Sequence, residues 1–306
     1  MRAVLRLLLV LFPVVASAAS IDTVVSPDRL TLKPGPPTEL SVPATMTVGQ
    51  FADSLRKLAA QRAESVQPNV STESGAFAFV LPIVGSAPGA GGTFFRSETT
   101  LANNLNRTQN VTLLYFPATT TNCNAGQMKS YQLAPLAVIV WDDLVAQAFQ
   151  TSGLGSVIVA AVDQFGNPDS TANIDGFSRI WTPIPGFGGS ASQSFSAQAV
   201  DVRQGPKTAY GLRIDSGFRT NVFIFNYQPN AGARIFDVYV SGINGPSTQF
   251  SMTVQQCGLS LTAVPVQNFG VSIITIVPRD GGGAWYGVAS SNDNVSSDNW
   301  SSTARP

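Results

Sequence analysis

Two stretches of this chain repeat one pattern at a constant offset, and the repeat restricts the fold more than any other feature. Gly92 to Phe116 reads GTFFRSETTLANNLNRTQNVTLLYF, and Ser216 to Val240 reads SGFRTNVFIFNYQPNAGARIFDVYV. Phe95-Arg96-Ser97 is matched by Phe218-Arg219-Thr220, 123 residues on, and Asn103 is matched by Asn226 at the same offset. Phe95, Ser97, Thr99 and Leu101 are two residues apart, which puts them on one face of a strand. After each Asn comes a turn and then a return strand, where Leu113 and Tyr115 correspond to Phe236 and Val238. Each copy therefore predicts a β-hairpin core with Phe95 or Phe218 as its anchor, and two cores predict two related β-sandwiches.

The flanking sequence supplies further strands. Ala76 to Val84 is an apolar run interrupted by Pro82, which suits an edge strand or a bend. Tyr131 to Trp141, Ser156 to Val162 and Phe177 to Thr182 follow, with a short helix at Asp142 to Phe149 that Asp142 can cap. Pro183 to Ser194 marks the boundary. Beyond it, seven short alternating segments run from Phe195 to Ser290 and end in a polar, partly loose tail. The expected fold is all-β: two tandem immunoglobulin-like sandwiches, residues 76–190 and 191–306. Residues 19–75 form a Pro-rich arm and one short helix, in which Phe51, Leu55, Leu58 and Ala59 fall at helical spacing behind a capping Thr47. Such a narrow apolar stripe is suited to docking on a domain.

Residues 1–18 have the make-up of a secretory signal: Arg2 and Arg6, an apolar run from Leu7 to Val15, then Ala16-Ser17-Ala18 as a small-x-small cleavage site. The run is short for a bilayer anchor, and no later segment is long and apolar enough to span. The mature chain is expected outside the cytoplasm, secreted or periplasmic, with no transmembrane segment.

Charge and residue usage exclude several functions. Lys plus Arg number 18 and Asp plus Glu 18, so there is no net charge and no basic patch to capture nucleic acid or anionic lipid. The chain has no His, which removes Ser-His-Asp and Cys-His nucleophilic sites and His-ligated zinc. Glu occurs only at positions 39, 64, 73 and 98, leaving few partners for a paired-carboxylate glycosidase.

What remains is weaker chemistry, each case with a plain alternative. Asp163, Asn167, Asp169, Asn173 and Asp175, and separately Asp293, Asn294, Asp298 and Asn299, are oxygen-rich loop clusters that could hold calcium. They also suit ordinary turns. Cys123 and Cys257 lie in different copies; they can form one disulfide tying the copies together, or stand as two thiols, and spacing does not decide. Arg96 and Arg219 suit packing beside a core Phe better than anion binding. Trp181, Phe187, Tyr210, Trp285, Tyr286 and Trp300 are candidates for a sugar platform. Trp181 and Trp285, set within strands, suit core packing. Trp300, in the polar tail, is the ligand candidate expected to be most exposed.

Gly91-Gly92-Thr93-Phe94-Phe95-Arg96-Ser97 with Asn103, Gly217-Phe218-Arg219-Thr220-Asn221 with Asn226, and Trp285-Tyr286-Gly287-Val288-Ala289-Ser290 resemble motifs of secreted bacterial proteins built from paired β-sandwich repeats. The resemblance spans roughly residues 76 to 300 and implies fold and export; it carries no activity and no site residues. The expectation is a non-enzymatic structural or interaction protein of the envelope or extracellular space, whose partner is a protein or a polysaccharide. A glycan-binding module is the alternative, and a carbohydrate-active enzyme the third reading. No cofactor other than calcium is expected.

Overall fold

The structure is a computed structural model; it describes residues 38–40, 46–65, 76–89, 92–184, 189–200, 205–229, 232–243, 245–265, 268–294 and 299–306. The signal segment, most of the Pro-rich arm, Phe187 and Asp298 lie outside these residues. The described part is all-β with two helices. The first half contains β1 (Thr38–Glu39), α1 (Val48–Ser65), β2 (Ala78–Pro88), β3 (Phe94–Asn103), β4 (Gln109–Pro117), β5 (Gln127–Leu133), β6 (Val138–Trp141), α2 (Leu144–Phe149), β7 (Gly153–Val162), β8 (Ile174–Pro183), β9 (Ser190–Ser196) and β10 (Gln198–Ala199). The second half contains β11 (Lys207–Ile214), β12 (Phe218–Phe225), β13 (Arg234–Gly242), β14 (Ser247–Val254), β15 (Leu259–Ala263), β16 (Gly270–Pro278), β17 (Tyr286–Asp293) and β18 (Asn299–Thr303).

The repeat extends well beyond the hairpins. In the second half the strands pair as β11-β16-β13-β14 and β15-β12-β17-β18. In the first half β2-β7-β4-β5 and β6-β3-β8-β9 pair in the same order, strand for strand. The end of β2 also pairs with β3, through Ser86↔Arg96 to Pro88↔Phe94, which joins the first two sheets into one ten-stranded sheet. In the second half, Ile274 and Val238 from one sheet and Ile224 and Ala289 from the other are fully buried in a common core, with the rings of Phe236 and Trp285 5.3 Å apart.

The equivalent asparagines explain why the hairpins recur. Asn103 and Asn226 are buried, at 2% and 0% exposure, and Asn103 forms the turn, its Oδ1 accepting from the Leu105 amide at 3.0 Å. The Asn103 amide donates to the carbonyls of Arg107 (2.7 Å) and Ala134 (2.9 Å); that of Asn226 donates to Val254 (3.3 Å) and Gln255 (3.2 Å). Each stitches its hairpin loop or strand end to the end of the next strand, where a side chain without a donor would strand buried carbonyls.

Several expectations are corrected. Phe95 and Phe218 are half-buried; the residues at the core are Ser97 and Thr220, two further along each strand, at 0% and 1% exposure. Tyr131 to Trp141 is two strands, β5 and β6, which pair with β4 and β3 in separate parts of the ten-stranded sheet, with Leu136 at φ 54° in the turn between them. α2 is capped by Asp143 and not Asp142: the Asp143 carboxylate accepts from the Ala146 amide at 3.2 Å. Of the two readings of Pro82 the bend holds and the edge does not: it lies in a bulge of a central strand. The boundary expected at Pro183 to Ser194 runs into β9 (Ser190–Ser196), which is paired with β8 along its whole length. The polar tail contains a paired strand, β18.

One of the two hydrophobic clusters is built from both halves of the chain. Alternate residues of β12 face opposite ways: Val222 and Ile224 enter the second sandwich, while Phe223 and Phe225 join the hydrophobic cluster of the first. There Phe225 meets Phe116 (ring centroids 5.8 Å), and Phe223 meets Phe195 (6.4 Å). Helix α1 closes this seam. Thr47 and Gln50 form a capping box, with Gln50 N to Thr47 Oγ1 at 3.2 Å and Thr47 N to Gln50 Oε1 at 2.8 Å. Phe51, Ala52, Leu55 and Ala59 are buried, and the Tyr227 hydroxyl donates to the Ala52 carbonyl. Beside them Cys123 and Cys257 are joined in a disulfide, with Cα atoms 5.1 Å apart.

Candidate functional site

Each sandwich breaks its first strand with a two-residue bulge, and the two copies treat it differently. In β2 the pairing shifts between Leu81 and Val84, and the unpaired Pro82 and Ile83 are buried, with the Pro82 carbonyl accepting from Ser156 Oγ at 2.7 Å. In β11 it shifts between Ala209 and Leu212, and the unpaired Tyr210 and Gly211 face outward, Tyr210 at 58% exposure. Gly211 takes φ +70°, a left-handed conformation that a residue with a Cβ adopts only under strain.

Strand β18 holds this bulge from the side. The Trp300 indole N–H donates to the Gly211 carbonyl at 2.8 Å, and the Tyr210 amide donates to Ser302 Oγ at 3.0 Å. Thr208 and Arg305 exchange both backbone hydrogen bonds, at 2.7 and 3.0 Å. On its other side β18 meets β9 of the first sandwich, where Ser301 Oγ donates to the Ser194 carbonyl (2.9 Å) and the Asn299 amide to the Ser192 carbonyl (3.3 Å). The result is an open groove of about 360 Å³ where the sandwiches meet, lined by Ser196, Tyr210, Ser301, Ser302, Thr303 and Arg305. Phe177, 40% exposed on β8, is the register partner of Ser196.

Its chemistry is five hydroxyl-bearing side chains if the Tyr210 phenol is counted, and one guanidinium. An exposed aromatic face beside convergent hydroxyl groups fits a polyol or a sugar ring. Among the described residues no carboxylate lines the groove.

Of the aromatic candidates among the described residues, Tyr210 alone is both exposed and at the groove. Trp300 is half-buried, its ring edge-on to Phe218 at 5.7 Å, and it supports the groove from behind. Trp285 and Tyr286 are 0% and 2% exposed. Trp181 was expected in the core but is half-buried on an outer face under the Arg96 guanidinium, which also lies over Phe94 at 5.1 Å. Arg219 donates to Asn294 Oδ1 at 2.9 Å.

The calcium candidates are occupied by the protein's own donors. Asp163 accepts from the Phe165 and Asn167 amides at 2.8 and 2.9 Å, and Asp169 from Thr171 and Arg107. Burial pushes both carboxyls up, but these hydrogen bonds outweigh it and hold them below the usual range. Asp175 accepts from the Gly176 amide at 2.7 Å. Asp293 ends β17, away from that loop in sequence. Among the described residues no three acidic or Cys side chains are grouped to hold a metal ion. Glu98 pairs with Arg179 at 2.7 Å.

The groove residues Ser301 to Thr303 and Arg305 are absent from the sequence-derived candidates. Their stretch is polar and lacks the apolar alternation that marks a strand. Among the described residues no helix is long and apolar enough to cross a membrane. No protein-family model and no curated protein matches the chain.

Proposed function

We propose that this chain is an exported, non-enzymatic binding protein, and that the Tyr210 groove is where it meets a carbohydrate. The observation that carries this reading is Tyr210, exposed on a bulge that Trp300 and Ser302 fix in place above a hydroxyl-lined groove. A preformed aromatic face loses little freedom on binding, which favours a flat apolar sugar face. The lack of any carboxylate among the described groove residues and of any His in the chain favours binding over turnover. Export rests on the residue pattern of positions 1–18 and on the resemblance to secreted paired-sandwich proteins.

The two halves are read as duplicated, immunoglobulin-like Greek-key sandwiches. Pairing of β3 with β6 and of β4 with β7 corresponds to the B–E and C–F pairs of that fold. The first and seventh strands are exchanged between sheets: β2 pairs with β7, and β8 with β3. A second reading, a rigid spacer with no small ligand, is favoured by the buried seam and its disulfide.

The test is a glycan array with residues 19–306, with and without calcium, followed by affinity electrophoresis. Tyr210→Ala should abolish retention at an unchanged melting temperature; Trp300→Ala should weaken it by loosening the bulge. Absence of binding to every glycan leaves the spacer role. Release of reducing sugar that disappears when an Asp of this chain is replaced refutes the non-enzymatic reading.

A further inference from the structure

The sheet β11-β16-β13-β14 ends in β14, whose outer side pairs with no strand among the described residues. β14 is fully registered with β13 through eight consecutive pairs, Arg234↔Val254 to Ser241↔Ser247. Its sequence, STQFSMTV, is rich in strand-forming residues and contains no charged residue and no Pro. Proteins ordinarily protect such an edge with Lys, Pro, a bulge or a cover, because its free N–H and C=O groups form a template for another strand. β14 has no charge, no Pro and no register shift. Only at one end is it tied, where Ser260 Oγ donates to the Thr253 carbonyl at 3.0 Å.

The first half of the molecule shows what this position accepts. The corresponding edge strand there is β5, the outer neighbour of β4, and an added antiparallel strand covers it. Thr38 pairs with Gln132 and Glu39 with Tyr131; the Leu40 amide donates to the Ser130 carbonyl at 2.9 Å, and Glu39 meets Lys129 at 2.6 Å. The β5 edge is therefore matched by a charged partner, Glu39 against Lys129, whereas β14 offers no charge for such a pair.

We propose that β14 is a dimerisation edge: two copies of this chain pair β14 to β14, antiparallel about a two-fold axis, so that two four-stranded sheets become one of eight. A strand with no charged side chain meets its own copy without like-charge repulsion, which directly opposed charges would impose. Zero net charge removes the long-range barrier to approach as well. Two-fold pairing is also the simplest closed arrangement, because each edge is used up by the other and growth stops at two. The exposed side chains along the edge are Ser247, Gln249, Ser251 and Thr253. This inference does not depend on the Tyr210 groove, which involves β9, β11 and β18.

Light scattering after size exclusion, together with amide hydrogen exchange, tests it on the whole mature chain. The expected result is twice the monomer mass, falling on dilution, with slow exchange along Ser247 to Met252. The double variant Gln249→Lys, Thr253→Lys places two lysines on the edge; it should run at monomer mass, melt at the temperature of the wild type diluted to its monomer, and exchange those amides rapidly. A wild-type protein that stays monomeric at its highest soluble concentration overturns the proposal, as does a dimer that survives the lysines. So do edge amides that remain protected in the monomeric variant, since the chain itself would then cover the strand. A wild-type monomer that takes up a synthetic STQFSMTV peptide also overturns self-pairing, in favour of a foreign strand.

Discussion

Phe225→Ala separates a shared core from two independent sandwiches. Phe225 lies on β12 with its ring turned away from the second sandwich's own core. In a tandem of separable domains that face would be wet, and the substitution would cost almost nothing. In the structure Phe225 is 1% exposed, with the rings of Phe116, Tyr227 and Tyr286 at 5.8, 6.2 and 6.2 Å. Truncating a fully buried Phe costs about 3–5 kcal/mol, more where the walls cannot collapse. These walls come from both halves and are held by the disulfide and α1, so the upper part of that range is expected. At about 2 °C per kcal/mol for a large unit, the melting midpoint should fall by roughly 8–10 °C. Calorimetry and urea unfolding are the assays, and a single transition should move as a whole. Phe218→Ala, at a half-buried position, should cost less than about 2 kcal/mol. Two resolved transitions of which only one moves, or a loss below about 1 kcal/mol, would refute the shared core.

Three further outcomes follow from particular contacts. Replacing Cys123 and Cys257 by Ser opens a loop of 134 residues, and chemical denaturation should register a loss of about 2–5 kcal/mol. Stability should be nearly flat from about pH 5 to 9, since no His titrates there. Below that plateau, Arg279 holds the Asp237 carboxyl down at about 2 and Arg213 holds Asp215 low, so their contribution, present above the ordinary carboxylate pKa, is lost as pH falls from about 4 towards 2. Above it, burial raises the Tyr115 and Tyr131 hydroxyls to about 12, so stability present below pH 10 drops between about pH 10 and 12. Denaturant midpoints across pH would check both limbs; a step between pH 6 and 7 would contradict this account. Calcium or a chelator should leave the melting temperature unchanged, because Asp163 and Asp169 already accept from protein donors; a calcium-dependent rise would show a site built by other residues.

The hairpins and their offset were legible because apolar alternation marks a strand with one buried face. Helical spacing of apolar residues located α1, whose Phe51, Leu55 and Ala59 lie on one buried stripe. It does not tell which residue of the strand face lies deepest, so Phe95 and Phe218 read as anchors although Ser97 and Thr220 lie inside. Strands poor in apolar residues escaped: β18 is Asn, Trp, Ser, Ser and Thr, and β9 is mostly Ser. Both are stabilised by pairing and by side chain to backbone hydrogen bonds, which leave little trace in hydropathy. The groove is built from these two strands and a bulge, so it was hidden for the same reason. Tyr210 stood among the aromatic candidates, but its exposure depends on a register shift that no local pattern encodes.

The seam also sets an order of events in time. Ala52, whose carbonyl receives the Tyr227 hydroxyl, is 175 residues ahead of it in the chain. At about 5–20 residues per second, synthesis of that interval takes on the order of 10–30 s. Until Phe225, Tyr227, Cys257 and Leu259 are made, the part of the seam that they supply is missing and the apolar surface it covers stays open, although α1 can already meet the Cys123–Ala125 turn. A half-made chain therefore has sticky surfaces, and closing so long a loop is slow compared with forming a hairpin. Folding to the final state must wait for residues 225 to 259, and until they emerge the nascent molecule depends on whatever keeps it from its neighbours.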